Sequence, residues 1–168
     1  VDVSKSSLEY ARTQNNNVDY INMNYVTNTI DKNVDFAMMI YCDFGALDPK
    51  SQGKVLENIY NKLNANGFFF FDVASYHYYD SVTEDYTSHE EVDGFFMEGK
   101  CDIKTSTIKY PELKLVLRHD YAKGEKEFHL YKWDKCYTED EMRILLQDNG
   151  FDIVESYANT YGSKDLDN

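Results

Sequence analysis

Apolar residues along this chain gather in short runs that alternate with stretches of helical spacing. The clearest run is Val34-Asp35-Phe36-Ala37-Met38-Met39-Ile40-Tyr41, nearly continuous, as a strand covered on both faces by helices requires. Asp48-Pro49 follows, an N-cap with proline at the first helical position. Val55, Leu56, Ile59 and Leu63 then recur at helical spacing, and Asn66-Gly67 predicts a left-handed C-cap. Directly afterwards comes Phe68-Phe69-Phe70-Phe71-Asp72-Val73, a second buried strand. Strand, helix and strand with short connections predict a right-handed parallel βαβ unit. Upstream of it, residues 4–12 read as a helix, 14–17 as a polar loop, and Val18-Asp19-Tyr20-Ile21 as a strand.

Past residue 74 the pattern changes. Residues 74–137 carry no long amphipathic helix but two or three strand-like runs, the clearest being 113–121 facing 127–136 across a turn at 123–126. The alternation of Leu113, Leu115 and Leu117, with tyrosine and phenylalanine interleaved, predicts a twisted antiparallel piece with one buried face. Thr138-Glu139-Asp140-Glu141 is a capping box. Met142, Leu145 and Leu146 then mark an inward helix face, Asn149-Gly150 a helix end, and Phe151-Asp152-Ile153-Val154 another strand. Residues 75–93, acidic and rich in tyrosine, are expected to be the most mobile segment. The fold class is therefore α/β. It divides into a cofactor-binding α/β part over 1–73, a β-rich substrate or lid insertion over 74–137, and a C-terminal helix and strand over 138–168 that complete the sheet.

Charge and cysteine content narrow the partners. Over 168 residues, 17 Lys and Arg face 30 Asp and Glu, a net charge of −13, which disfavours nucleic-acid phosphate and anionic membrane alike. Cys42, Cys101 and Cys136 lack CxxC spacing and read as reduced thiols, pointing to a cytoplasmic protein. His89, His119 and His129 show no ligand spacing, so no metal is expected. No run approaches the roughly 18 apolar residues of a membrane span.

The chemistry begins at the first residues. In Val1-Asp2-Val3-Ser4 an acidic residue closes a short apolar strand and a helix follows at once. Nucleotide-binding α/β folds place a carboxylate there to accept hydrogen bonds from ribose hydroxyls, about 20 residues after a glycine-rich turn. No such turn stands in this sequence, which reads as a cofactor-binding domain entered one βα unit late.

Four spaced segments, VDVSKSSLEYAR, YINMNY, VDFAMMIYCDFGAL and LNANGFFFFDV, together resemble a class I S-adenosylmethionine-dependent methyltransferase with a Rossmann-like sheet. TEDEMRILLQDNGFDIVESY resembles that family's last helix and following strand. The resemblance implies that Asp2, with Val3 beside it, holds the ribose. Asn24 falls where the family usually has an aspartate on the adenine amino group, and Tyr25 where a backbone amide meets the ring. It also implies that Tyr41, Cys42 and Asp43 lie near the methionine moiety, Asp43 towards the substrate. The family's glycine-rich first motif has no counterpart; the resemblance places that motif's strand centrally in the sheet, so its removal would expose two apolar edges and self-association through them is expected. Plainer readings stand beside these: Asp2 as a surface carboxylate, Asn24 as a turn residue, Cys42 as a small buried hydrophobe.

Methyl transfer from a sulfonium needs alignment and dryness rather than a nucleophile or metal. Tyr76, Tyr78, Tyr79, Phe95 and Phe96 are expected to wall an aromatic pocket for a small-molecule acceptor, with Tyr76 and Tyr79 touching it. His77, just past the Asp72 strand end, is the best-placed candidate base. Two other functions fit the acidic strand end: a non-catalytic nucleotide-fold binding module, and an NAD-dependent oxidoreductase fragment. The oxidoreductase ranks last, since the later segments match the methyltransferase pattern.

Overall fold

A serine starts the first helix. The Ser4 hydroxyl accepts the Ser7 N–H at 3.2 Å, and α1 runs Lys5–Gln14 with Leu8 buried. The computed structural model describes residues 1–84, 88–93, 100–159 and 161–164, with 88–93 and 100 by their backbone alone. Two compact units emerge from the chain: Val1–Met38 with Leu47–Phe70 and Leu145–Asn168, and Met39–Ala46 with Phe71–Ile144.

In the first unit, β1 (Val34–Met39) leads towards α2 (Pro49–Tyr60) and then β2 (Leu63–Phe71). Asp48 caps α2 as expected, its carboxylate accepting the Lys50 and Ser51 N–H groups at 3.0 and 3.1 Å. The face carrying Val55 and Leu56 is fully buried. The Val34 N–H donates to the Lys62 carbonyl at the start of the ladder and the Asp72 N–H to the Met39 carbonyl at its end, so β1 and β2 run parallel.

Three local expectations fail for physical reasons. The helix ends at Tyr60 rather than at Asn66-Gly67, because Lys62 is already captured by Val34. Asn66 takes its left-handed backbone (φ 64°) inside β2 instead. Residues 18–21 form no strand; a single parallel bridge joins Asp2 to Asn22, and the Tyr20 carbonyl accepts from the Arg12 guanidinium. Residues 151–154 form no strand; the Phe151 N–H donates to the Leu146 carbonyl at 3.0 Å, and its ring packs edge-on against Tyr60 at 5.5 Å. Here Gly150 is required, since its φ of +85° is left-handed and a Cβ would meet the Tyr60 ring at 2.9 Å.

The expected two-sided cover of β1 is also only half met. Ala37 and Met39 are half-buried, whereas Phe36 and Met38 are 56% and 60% exposed, and Phe68 on β2 is 57% exposed.

The second unit holds a five-stranded sheet. Its elements are β3 (Ala74–Ser75), α3 (Tyr76–Ser81), β4 (Ser88–Asp93), β5 (Lys100–Tyr110), β6 (Leu115–Lys123) and β7 (Glu127–Tyr137), and α4 (Glu139–Asp148) follows. Strand order is β3-β7-β6-β5-β4, antiparallel except for β3, which lies parallel to β7. The predicted hairpin is present, closing at Lys123 opposite Glu127. Its buried face is the other one. Val116 and Ala122 of β6 are buried with Cys136 and Thr105, while Leu113 is exposed and Leu115 and Leu117 half-covered. A period of two leaves only these two faces, so reading the wrong one inverts every side chain. The capping box forms: the Glu141 N–H donates to the Thr138 hydroxyl and the Thr138 N–H to the Glu141 carboxylate. Within residues 75–93, expected to be mobile, the described parts form α3 and β4; residues 85–87 lie outside the described set.

Candidate functional site

Where the sequence predicts a strand ending at Asp2, the structure forms only an isolated parallel bridge from Asp2 to Asn22. The Asp2 N–H donates to the Ile21 carbonyl at 3.1 Å and the Met23 N–H to the Asp2 carbonyl at 3.0 Å, which fixes Asp2 and Val3 at the start of α1. One Asp2 carboxylate oxygen accepts the Ser4 N–H at 2.7 Å; the other accepts nothing from the described residues. Asn22 ties the segment together, its amide donating to the carbonyls of Asp2 and Val3 at 3.1 and 2.8 Å. Asn24 opens a turn in which its side-chain oxygen accepts the Val26 N–H and its carbonyl accepts from Thr27 and Asn28. Tyr25 is half-buried, and the Asn58 amide on α2 holds its carbonyl at 3.0 Å.

Val3, Asn22, Met23, Asn24 and Asn28 line one cleft of about 310 Å³. Two of the residues singled out from sequence, Val3 and Asn24, thus share a wall, and Asp2 precedes one of them. The reading from sequence missed Asn22, Met23 and Asn28. The asparagine spacing 22, 24, 28 was the available signal, because each amide carries two donors and an acceptor. The lining is neutral, with amides and no Lys or Arg. Such a cleft suits hydroxyls and heterocycle edges better than phosphate.

In the second unit, residues 41–46 form a strap at the end of β1. Tyr41 and Cys42 both take left-handed backbone (φ 69° and 58°), a conformation non-glycine side chains rarely adopt. Such strain costs on the order of 1–3 kcal/mol per residue and persists only where surroundings over-determine it. Here they do. The Cys42 N–H donates to the Asp72 carboxylate at 2.9 Å, and the Gly45 N–H to the Cys42 carbonyl at 3.1 Å. Asp43–Ala46 forms a 3-10 turn in which Phe44 is 0% exposed and lies 5.2 Å from the Phe71 ring. The Trp133 indole donates to the Ala46 carbonyl at 3.1 Å. Gly45 lets this turn approach β7, where a Cβ would sit 3.1 Å from the Lys135 carbonyl. The strap leaves the Tyr41 side chain 85% exposed, and Asp43 is exposed beside it.

Two of the thiols, Cys42 and Cys136, have raised pKa values. Burial pushes the Cys42 thiol up, with the Asp72 and Asp134 charges adding to it. Cys136 is pushed up to about 11, chiefly by burial and then by Asp134. Neither is an activated nucleophile.

The remaining candidates lie on or near α3. His77 is exposed, and its ring makes no hydrogen bond among the described residues, so no partner orients it. The Tyr76 hydroxyl donates to Glu141 at 3.3 Å, and Tyr76 packs against a core of Ala74, Tyr79, Val116 and Cys136. Tyr78 is partly exposed and Phe95 and Phe96 lie outside the described residues, so the expected aromatic wall is described only in part. Tyr79 is 4% exposed, and its hydroxyl has no hydrogen-bond partner among the described residues. A buried unpaired hydroxyl is unfavourable by about 1–3 kcal/mol. Tyr79→Phe is therefore expected to hold or raise stability, by up to about 1 kcal/mol, in chemical denaturation. A clear loss would show that the hydroxyl has a partner. Among the described residues no group of three His, Cys, Asp or Glu is placed to hold a metal, and no helix is long and apolar enough to cross a membrane.

No protein-family model and no curated protein sequence matches the chain. Solved structures do. An S-adenosylmethionine-dependent methyltransferase from Clostridium acetobutylicum superposes with a TM-score of 0.72 at 16% identity, over 91% of this chain and 63% of that one. The sugar N-methyltransferase KedS8 from Streptoalloteichus gives 0.66 at 10% identity, over 88% and 60%. CalS10, an amino pentose methyltransferase from Micromonospora echinaspora solved with S-adenosylmethionine bound, gives 0.65 at 11%, over 95% and 67%. The chain has the mixed α/β, Rossmann-like fold of these methyltransferases and spans about three fifths of the first two.

Proposed function

We propose that the protein transfers a methyl group from S-adenosylmethionine to a small-molecule acceptor by in-line displacement. The observation that carries this reading is the neutral, amide-lined cleft beside the Asp2–Asn22 bridge, in a chain with the fold of methyltransferases. Asp2 and Val3 hold the ribose, Asn24 and Tyr25 the adenine, and Tyr41 and Cys42 the methionine end. Asp43 and Tyr76 stand on the acceptor side, with Tyr79 behind Tyr76 in the core.

Several of the similar proteins are N-methyltransferases of sugars or glycopeptides, which favours an amine as the nucleophile. The amine lone pair attacks the sulfonium methyl from the side opposite sulfur, the S–C bond breaks, and S-adenosylhomocysteine leaves neutral. The methylated ammonium then loses a proton, and His77 is the candidate to receive it. The protein contributes alignment and exclusion of water. The test is transfer of labelled methyl from S-adenosylmethionine by the full-length protein to a panel of amino sugars and simple amines. Incorporation into an amine supports the reading. Cofactor binding with transfer only to hydroxyl or carbon acceptors would overturn the choice of amine.

A cytoplasmic location and self-association belong to the same proposal. Phe36, Met38 and Phe68 stand exposed on a two-stranded ladder, too small a sheet to be stable alone. The 168-residue chain is therefore expected to associate through these edges. Light scattering should give a mass above 19.7 kDa; a soluble, cooperatively folding monomer of that mass would contradict it.

A further inference from the structure

The strap at residues 41–46 holds two adjacent left-handed non-glycine residues, and the side chain that reaches the strained backbone comes from the end of β2. From this geometry we infer that Asp72 is a positioning residue, whose carboxylate locks the Tyr41–Cys42 turn and so sets the surface offered to the methionine end of the cofactor. The inference rests on the methyltransferase reading for its functional consequence, but not for the lock itself.

Asp72 is half-buried, immediately after β2, where its own N–H continues the ladder to the Met39 carbonyl. Its backbone is therefore fixed relative to β1, and one carboxylate oxygen meets the Cys42 N–H at 2.9 Å. That N–H belongs to the second of the two strained residues, where the chain has left the β1 ladder and has no strand partner. The other restraints act further on: Gly45 on the Cys42 carbonyl, Phe44 in the core, Trp133 on Ala46. They anchor the far end of the strap and leave the Cys42 N–H to Asp72 alone. An amide hydrogen-bonded to a carboxylate is the stronger, charge-assisted kind. The same charge lies close enough to Cys42 to help raise its thiol pKa, which supplies a second readout.

The test compares Asp72→Ala with Asp72→Asn in the full-length protein. Asparagine keeps an acceptor oxygen and removes the charge, so a fold-compromised alanine variant does not end the test. Three quantities are read: affinity for S-adenosylhomocysteine by calorimetry, the Cys42 amide proton shift by NMR, and the rate of Cys42 alkylation by iodoacetamide. Expected are a tenfold or larger loss of affinity in Asp72→Ala, a loss within threefold in Asp72→Asn, and an upfield Cys42 amide shift in alanine alone. Cys42 should alkylate several-fold faster in Asp72→Asn, as the nearby negative charge is gone. Wild-type affinity in Asp72→Ala, or an unmoved Cys42 amide, would overturn the lock. Failure of the wild-type protein to bind S-adenosylhomocysteine would instead count against the methyltransferase reading, and the amide and alkylation results would still decide whether Asp72 holds the turn.

Discussion

Phe44→Ala is expected to lower the unfolding free energy by about 3–5 kcal/mol, the usual cost of emptying a buried aromatic site. Phe44 has no exposed surface and packs at a tilt of 56° on Phe71, so its removal takes away transfer energy, a ring contact and cavity filling together. The site cannot relax easily. Its turn is held by Trp133 at Ala46 and by the close approach of Gly45 to β7. A domain's whole margin is about 5–15 kcal/mol, so the variant should fold marginally. Phe44→Leu, which keeps most of the volume, should lose far less. Urea titration of both checks this, and a loss below about 1 kcal/mol in the alanine variant would show that the strap is not anchored in the core.

Asp2→Ala in the full-length protein should weaken S-adenosylmethionine by about 1.5–3 kcal/mol, or roughly 10- to 150-fold, the scale of hydrogen bonds to a charged group. The free carboxylate oxygen is the one available to ribose, since the other already accepts the Ser4 N–H. Losing that second bond also loosens the start of α1, so a small drop in ligand-free stability, on the order of 0.5–1 kcal/mol, should accompany the binding loss. Asp2→Asn keeps an acceptor for Ser4 and should spare stability while still weakening the cofactor. Unchanged affinity in both variants would remove Asp2 from the ribose site.

What the sequence made legible was mainly what short-range chemistry decides. The first helix, the Asp48 cap, the Thr138–Glu141 capping box and the hairpin at 123–127 formed where spacing placed them. Tertiary pairing decided the failures. Ile59 and Leu63 share a helical spacing, yet the Val34 pairing at Lys62 ends α2 between them. The leucine alternation of β6 marked the open face, because the small residues Ala122 and Val116 fit the closely packed one. At the site, the acidic strand end and Asn24 were visible as residue types at a spacing. The strained strap was not, since nothing in Tyr41-Cys42 announces left-handed backbone; it arises from Asp72 and Trp133, which are distant in the chain, together with the burial of Phe44.

The most direct test of the central claim is calorimetric titration of the full-length protein with S-adenosylhomocysteine and, separately, with NAD. Saturable binding of S-adenosylhomocysteine at one site per chain, with a dissociation constant on the order of micromolar and no heat from NAD, is the predicted result. Saturable binding of NAD with none of S-adenosylhomocysteine would contradict it.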